Sequence, residues 1–345
     1  MTHELKAIFE AYRVNKANGF SSALVTVVDL NGSSYRKPGV RMLINSNNQM
    51  TGAVSGGCVE KEILRQAIPV FKTDVAVIMT YDGRFRIGCE GLLYILIEPF
   101  KPSEQLLNAF QNAINQRDTL RTVSHYTKET GLHTDIGTSF QFDEEWLPVY
   151  PHQVNQNHPD YLAFQHALPP CFRLYIMGGE HDAQQLAQQA AFMGWEVEII
   201  LPVAETQPLS HFKGATAVHG ISPEEMQQFL FDSHTAVVLM SHNFAKDLHY
   251  LMQFHKMYAA KETSSPMYMG VLGSKLRMEQ LMNGLLERIP DVDEAFLATL
   301  HGPAGLAIGA ITPQEISVSI ISEIVSLLRD KEQTEVPIKS VVSHD

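Results

Sequence analysis

A chain of 345 residues, 45% hydrophobic and 19% charged, has the composition of ordinary globular material, and its length favours two domains over one. Its 38 acidic residues against 26 basic ones leave a formal net charge of -12 at pH 7, without the broad basic footprint that a phosphate backbone demands, so nucleic acid is not an expected partner. Three cysteines with no close pair do not make a disulfide framework, and no apolar run approaches the roughly 20 residues of a spanning helix; a reducing, cytoplasmic setting away from membranes is expected.

The opening "MTHELKAIFEAYRVNKANG" has helical spacing over 3–17 and lacks the apolar run and cleavage site of a signal peptide. "SSALVTVVDL" follows as a buried strand, then a glycine and serine corner, "NGSSYRKPG", and a second strand in "VRMLINS". After the loop "GAVSGGC", the stretch "VEKEILRQAIPVF" reads as a helix and "DVAVIMTYD" and "LLYILIEPF" as strands, which makes 1–102 a mixed α/β domain. Residues 103–168 read as a connecting region with one helix, "SEQLLNAFQNAIN", and weak strands in "TLRTVSHYT" and "GTSFQFDEEWLPVY". The polar, proline-flanked run "PHQVNQNHPD" suits a surface connection.

From 169 to 332 the character changes. "FRLYIMGG", "WEVEIIL", "TAVVLMSH" and "MYMGVLGS" are strands that alternate with helical segments, the pattern of a Rossmann-like, doubly wound parallel sheet. The last helix has Thr312 at its N-cap, Pro313 at the first helical position and Glu315 completing a capping box, with Ile316, Ile320, Ile324 and Leu327 along one face. A polar tail, 333–345, closes the chain.

Several loops offer chemistry. The turn "YIMGGEHDAQQLA" has the context of a dinucleotide fingerprint, but its frame is Gly178-x-Glu180-x-x-Ala183, and Glu180 puts bulk and negative charge where a diphosphate would lie. The second strand ends in Leu201 and Pro202 where an acid should hold the ribose, with Glu196 and Glu198 too early. NAD(P) binding is therefore disfavoured. In "MGVLGSKLRME", Ser274 opens a helix beside Lys275 and Arg277, which reads either as a phosphate site or as an N-cap with solvated basic residues. His242 in "LMSHNFAKDL" stands at the carboxyl end of a strand, where Asn243 also reads as a helix cap. "HGPAGLAIGA" combines His301 with glycines, Gly305 among them, that allow close backbone approach to a ligand.

Cys58 stands after Ser55, Gly56 and Gly57 and in the first turn of a helix, where the dipole favours a thiolate. Cys89 occupies a second glycine corner, and Cys171 reads as packing. A small buried hydrophobe is the alternative for each.

Taken together, "GSSYRKPGVRMLI", "GAVSGGCVEKEI", "GCEGLLYILIEP", "MSHNFAKDL", "YMGVLGSKLRME" and "HGPAGLAIGAITPQEISVSIISEI" resemble, in order and over nearly the whole chain, the XdhC/CoxI family, accessories of xanthine dehydrogenase and related molybdenum hydroxylases. The resemblance implies an N-terminal XdhC/CoxI domain, a C-terminal Rossmann domain, and a chaperone that binds molybdenum cofactor (molybdopterin), assists its sulfuration and delivers it to the apo-hydroxylase. It further implies a cysteine desulfurase partner and a homodimer. Cys58 matches the SGGC position and is the expected metal contact and catalytic thiol, with Arg36, Lys37, Lys275 and Arg277 as partners for the pterin's phosphate. The chain departs from the family at Glu180, Glu90, Leu201 and Ala307, where members carry glycine, glycine, aspartate and aspartate. Those changes argue against nucleotide binding; an oxidoreductase on a degenerate Rossmann domain and a non-catalytic interaction module are the alternative readings.

Overall fold

The computed structural model describes residues 2–33, 37–54, 57–83, 91–151, 158–260 and 266–334, and of Cys58 and 330–334 the backbone. The chain divides into two compact units, Met1–Cys171 and Phe172–Asp345.

The first unit runs α1 (Thr2–Ala17), β1 (Ser22–Asn31), β2 (Arg41–Asn45), β3 (Met50–Gly52), α2 (Cys58–Thr73), β4 (Ala76–Asp82), β5 (Leu92–Pro99), α3 (Glu104–Gln116), β6 (Leu120–Tyr126), β7 (Gly131–His133), β8 (Gly137–Phe142), β9 (Glu145–Pro148) and β10 (Leu162–Leu168). Two antiparallel sheets result, in the orders β3-β2-β1-β5-β4-β7 and β10-β6-β8-β9. Strand β1 is apolar on both faces because both are covered. Val25 and Val27 pack with Ile63, Ala67 and Val70 of α2, and Leu24 packs with Phe9 of α1 and Phe110 of α3.

Residues 103–168, expected as a connecting region, contribute α3, the edge strand β7 and the whole second sheet to this unit. Their strands look weak in the sequence because the inward positions include Thr122, Ser124 and Thr138, all buried hydroxyls. These join a polar belt. Glu98, fully buried, accepts from the Thr138 N–H at 2.8 Å and its hydroxyl at 2.5 Å, and Thr138 meets Ser124 at 2.7 Å. Arg41 donates to Thr122 Oγ1 at 2.8 Å and meets His166 Nδ1 at 3.2 Å. Burial pushes the Glu98 carboxyl up to about 7, the Arg41 guanidinium down to about 10 and the His166 imidazole down to about 4.

The second unit contains β11 (Arg173–Met177), α4 (His181–Phe192), β12 (Glu196–Leu201), β13 (Ala217–Gly220), β14 (Thr235–Leu239), α5 (Phe244–Ala260), β15 (Tyr268–Val271), α6 (Lys275–Arg288), α7 (Glu294–Leu297), β16 (Leu300–His301) and α8 (Pro313–Thr334). All neighbours are parallel, in the order β13-β12-β11-β14-β15-β16. This is the Rossmann order 3-2-1-4-5-6, with its reversal between β11 and β14. Leu186 of α4 and Ile320 and Ile324 of α8 cover one face of the sheet; Leu251 of α5 and Leu281 of α6 cover the other. The α8 cap forms as the sequence dictates: Glu315 Oε2 accepts from the Thr312 N–H at 2.9 Å, and Thr312 Oγ1 accepts from the Glu315 N–H at 3.3 Å.

Candidate functional site

Parallel strands end together, so the loops that follow β11, β14, β15 and β16 gather at one edge of the second sheet, where ligands of open α/β sheets bind. Gly178, His242, Ser274, Lys275, Arg277, His301 and Gly305 all lie on those loops or at the helix starts and strand end beside them.

Gly178 has φ +151°, and a β-carbon there would collide with the Met240 carbonyl oxygen, so the close approach of β11 and β14 alone requires glycine. Glu180 is the exposed N-cap of α4 and Asp182 stands in its first turn. His242, held at φ +53°, places Nε2 3.5 Å from Asp182 Oδ2. The helix start that would cradle a diphosphate is therefore acidic. A β-carbon on Gly179 would meet Gln207 Nε2 at 2.9 Å and Leu201 Cδ2 at 3.1 Å, so these side chains lie against the turn. The early acids of β12 are engaged within the sheet: Glu196 pairs with Arg173 at 2.9 Å, and Glu198 pairs with Arg173 at 3.3 Å and His219 at 2.7 Å.

At α6, Ser274 Oγ accepts from the Arg277 N–H at 3.2 Å, so the cap reading holds. Arg277 bends back against Gly273 and donates to Asp247 Oδ2 at 2.5 Å, while the Ser241 hydroxyl donates to Asp247 Oδ1 at 2.5 Å. Asp247 is fully buried, which commits the guanidinium to neutralising it. Lys275 is exposed and carries no ion pair among the described residues.

Around the glycine-rich loop, His301 Nδ1 lies 3.1 Å from Glu323 Oε1, and Glu323 Oε2 accepts from the Tyr268 hydroxyl at 2.6 Å and the Gly305 N–H at 2.7 Å. Sequence reasoning found His301 and Gly305 and missed Glu323 and Tyr268. The available signal was an acid at position 323, beside Ile320 and Ile324 on the apolar face of α8.

In the first unit, α2 begins at Cys58 itself, after Gly57 at φ +112°. The Gly57 N–H donates to Glu60 Oε2 at 2.9 Å, so this backbone donor at the helix start is capped from within. The spacing Gly57-x-x-Glu60 was the signal for that cap. Lys37 is exposed. Arg36, Ser55, Gly56 and Cys89 lie outside the described residues. Cys171 is buried, as the packing reading expects. Among the described residues no group of three or more His, Cys, Asp or Glu side chains is arranged to hold a metal ion, and no helix is long and apolar enough to cross a membrane.

A Rossmann-order sheet whose phosphate turn is acidic, in a chain whose other unit starts a helix on a cysteine after a left-handed glycine, defines a two-unit protein with a nucleotide-fold scaffold in its second unit. Residues 16–82 match the XdhC and CoxI family and residues 174–324 match the XdhC Rossmann domain; the chain belongs to the XdhC and CoxI family. It is 26% identical over 327 residues to a protein of Bacillus subtilis (strain 168) named as a probable xanthine dehydrogenase subunit, covering 88% of this chain and 92% of the relative. It is 24% identical over 329 residues to "Molybdenum cofactor insertion chaperone PaoD" of Escherichia coli (strain K12), covering 92% of this chain and 86% of that one. A crystal structure described as a xanthine dehydrogenase from Bacillus halodurans shares the fold at a TM-score of 0.76 and 24% identity, covering 96% of this chain and 98% of its own.

Proposed function

We propose that the protein is an accessory factor that carries molybdenum cofactor, assists its sulfuration and hands it to a xanthine dehydrogenase or related molybdenum hydroxylase. The observation that carries this reading is the similarity, across both units, to a relative named as a molybdenum cofactor insertion chaperone. The cofactor is cargo. Its molybdenum is soft, and a thiolate at the first residue of α2, where the helix dipole favours negative charge, is a fitting contact. Its phosphate fits cationic and N–H partners, and of the cations named from the sequence Lys37 in the first unit and Lys275 in the second are exposed. Arg277 supports the loop from within through Asp247, and Arg36, Ser55, Gly56, Gly57 and Cys89, with Gly178, His242, Ser274, His301 and Gly305 of the second unit, belong to the proposed cofactor-binding residues. A cysteine desulfurase as sulfur source and a homodimeric assembly belong to the same proposal.

The test is titration of the purified protein with molybdenum cofactor released from a donor enzyme. Saturable binding by the wild type, weakened at least tenfold by Cys58→Ser, is expected; wild-type binding that ignores the substitution removes the thiolate from the proposal.

The strand order by itself favours a dinucleotide, which is the second reading. Against it stand Glu180, Asp182 and the Leu201 and Gln207 side chains beside Gly179. Calorimetry with NAD(H) and NADP(H) decides: saturable micromolar affinity would favour an oxidoreductase over the carrier.

A further inference from the structure

The loop after β16 is organised around one carboxylate. Glu323 takes the Tyr268 hydroxyl and the Gly305 N–H as donors, and an ionised carboxylate is an acceptor only, so the His301 Nδ1 that faces its other oxygen at 3.1 Å carries the proton of that bond. In the neutral ring the lone pair then sits on Nε2.

The ring is also fixed in place and in plane. Tyr268 stacks on it with centroids 4.6 Å apart and planes 28° apart, and burial together with the Glu323 carboxylate raises the Tyr268 pKa, which keeps its proton on the hydroxyl. Gly305 holds its N–H on Glu323 at φ +99°, and a β-carbon there would strike the Ser319 hydroxyl, which donates to the Leu306 carbonyl at 2.7 Å. His301 keeps 24% of its side chain exposed at the carboxyl edge of the parallel sheet, and its Nε2 has no protein partner among the described residues. The adjacent Gly302 abuts Met278 of α6, the helix whose first residue is the exposed Lys275.

We propose that Glu323 and Tyr268 are positioning residues that present His301 Nε2 to a tetrahedral oxyanion, either a phosphate or a molybdenum oxyanion; this rests on the cofactor reading above. When an O–H of phosphate meets Nε2, that O–H bond breaks and an N–H bond forms; molybdate carries no O–H at pH 7, so there the proton comes from water, whose O–H bond breaks as the N–H bond forms. The imidazolium is then balanced by Glu323 on one side and by the ligand's oxygen anion on the other. No electron changes hands.

The experiment uses the full chain labelled with [15N]histidine, whose long-range proton–nitrogen correlations report the tautomer of each ring, titrated at pH 7 with inorganic phosphate and, separately, with molybdate. His301→Asn assigns the signal. The Asn amide keeps a donor toward Glu323 and lacks Nε2, so the loop contact survives while the ligand contact does not. The wild type is expected to show the Nδ1–H tautomer and a saturable shift of Nε2 with at least one oxyanion. By calorimetry that affinity falls about tenfold or more in His301→Asn, as for loss of a charge-assisted hydrogen bond, and several-fold in Glu323→Gln. A response to phosphate alone assigns the phosphate arm, and one to molybdate alone assigns the molybdenum oxyanion. An Nε2–H tautomer in the wild type, no shift with either oxyanion, or an unchanged affinity in His301→Asn overturns the proposal, including when that variant melts lower. Molybdenum cofactor that binds without moving the His301 signal sinks this inference and leaves the carrier reading; saturable phosphate at His301 with no cofactor binding does the reverse.

Discussion

The buried acid of the first unit gives the sharpest stability test. Glu98 is 0% exposed and titrates at about 7 in the folded chain, against 4.5 for an ordinary glutamate. The folded state therefore holds a proton that the unfolded state has lost between about pH 4.5 and about pH 7, so stability falls as pH rises through that window and is level outside it. The gap corresponds to about 3 kcal/mol. His166, lowered from 6.5 to about 4, acts with the opposite sign: its contribution is lost as pH falls through that interval, so the wild-type profile alone conceals both slopes. Glu98→Gln isolates one of them. The amide oxygen can keep the Thr138 N–H, and one amide N–H can donate to Thr138 Oγ1 once that hydroxyl turns to Ser124; the second amide N–H adds a cost that does not change with pH. The two tryptophans divide between the units, Trp146 in β9 and Trp195 in the second. Urea unfolding followed by Trp146 fluorescence in a Trp195→Phe background reads the first unit alone. Relative to its parent, the Gln variant should gain about 3 kcal/mol between pH 4.5 and 8. A difference that stays constant over that range would refute the assignment of a protonated Glu98.

In the second unit, Arg277→Met leaves the Asp247 carboxylate buried without its cation and should cost about 3–5 kcal/mol by Trp195 fluorescence, whereas Arg277→Met with Asp247→Asn should cost much less than the two single losses together. Additive losses would show that the pair is not coupled. Gly178→Ala should cost more than about 2 kcal/mol, because its clash is with the backbone of Met240 at positive φ. Gly179→Ala, which presses on the movable ends of Gln207 and Leu201, should cost less; equal melting temperatures would contradict the strand-approach argument. Glu60→Gln keeps an acceptor for the Gly57 N–H and removes one negative charge beside the start of α2, so iodoacetamide should alkylate Cys58 about two- to fivefold faster at pH 7. A slower reaction would mean that the carboxylate assists the thiol.

The second unit was legible in the sequence because its strands and helices alternate with short glycine links and β11, β12, β14 and β15 carry apolar runs, as a parallel sheet covered on both faces requires. The caps at Thr312 and Ser274 were legible for the same local reason. Strands β13 and β16 were not: β13 is only partly buried and lacks the apolar run of the equally short β15, and β16 is two residues long. Arg277 read as a free cation because Asp247, thirty positions earlier, reveals its burial only once α5 and α6 are packed. The second sheet of the first unit was hidden by its own inward hydroxyls, whose partners Arg41 and Glu98 come from distant strands. At the site, single residues such as His301 could be named from the sequence, whereas the carboxylate that orients it could not, since that contact is made across 22 positions by the tertiary fold.

In the proposed function, Cys58 meets the metal of a carried molybdenum cofactor. The most direct measurement is molybdenum X-ray absorption on the wild-type protein loaded with cofactor, beside the Cys58→Ser variant. One sulfur scatterer more is expected in the wild type than in the variant, with binding at least tenfold tighter. Identical molybdenum environments in the two proteins would contradict it.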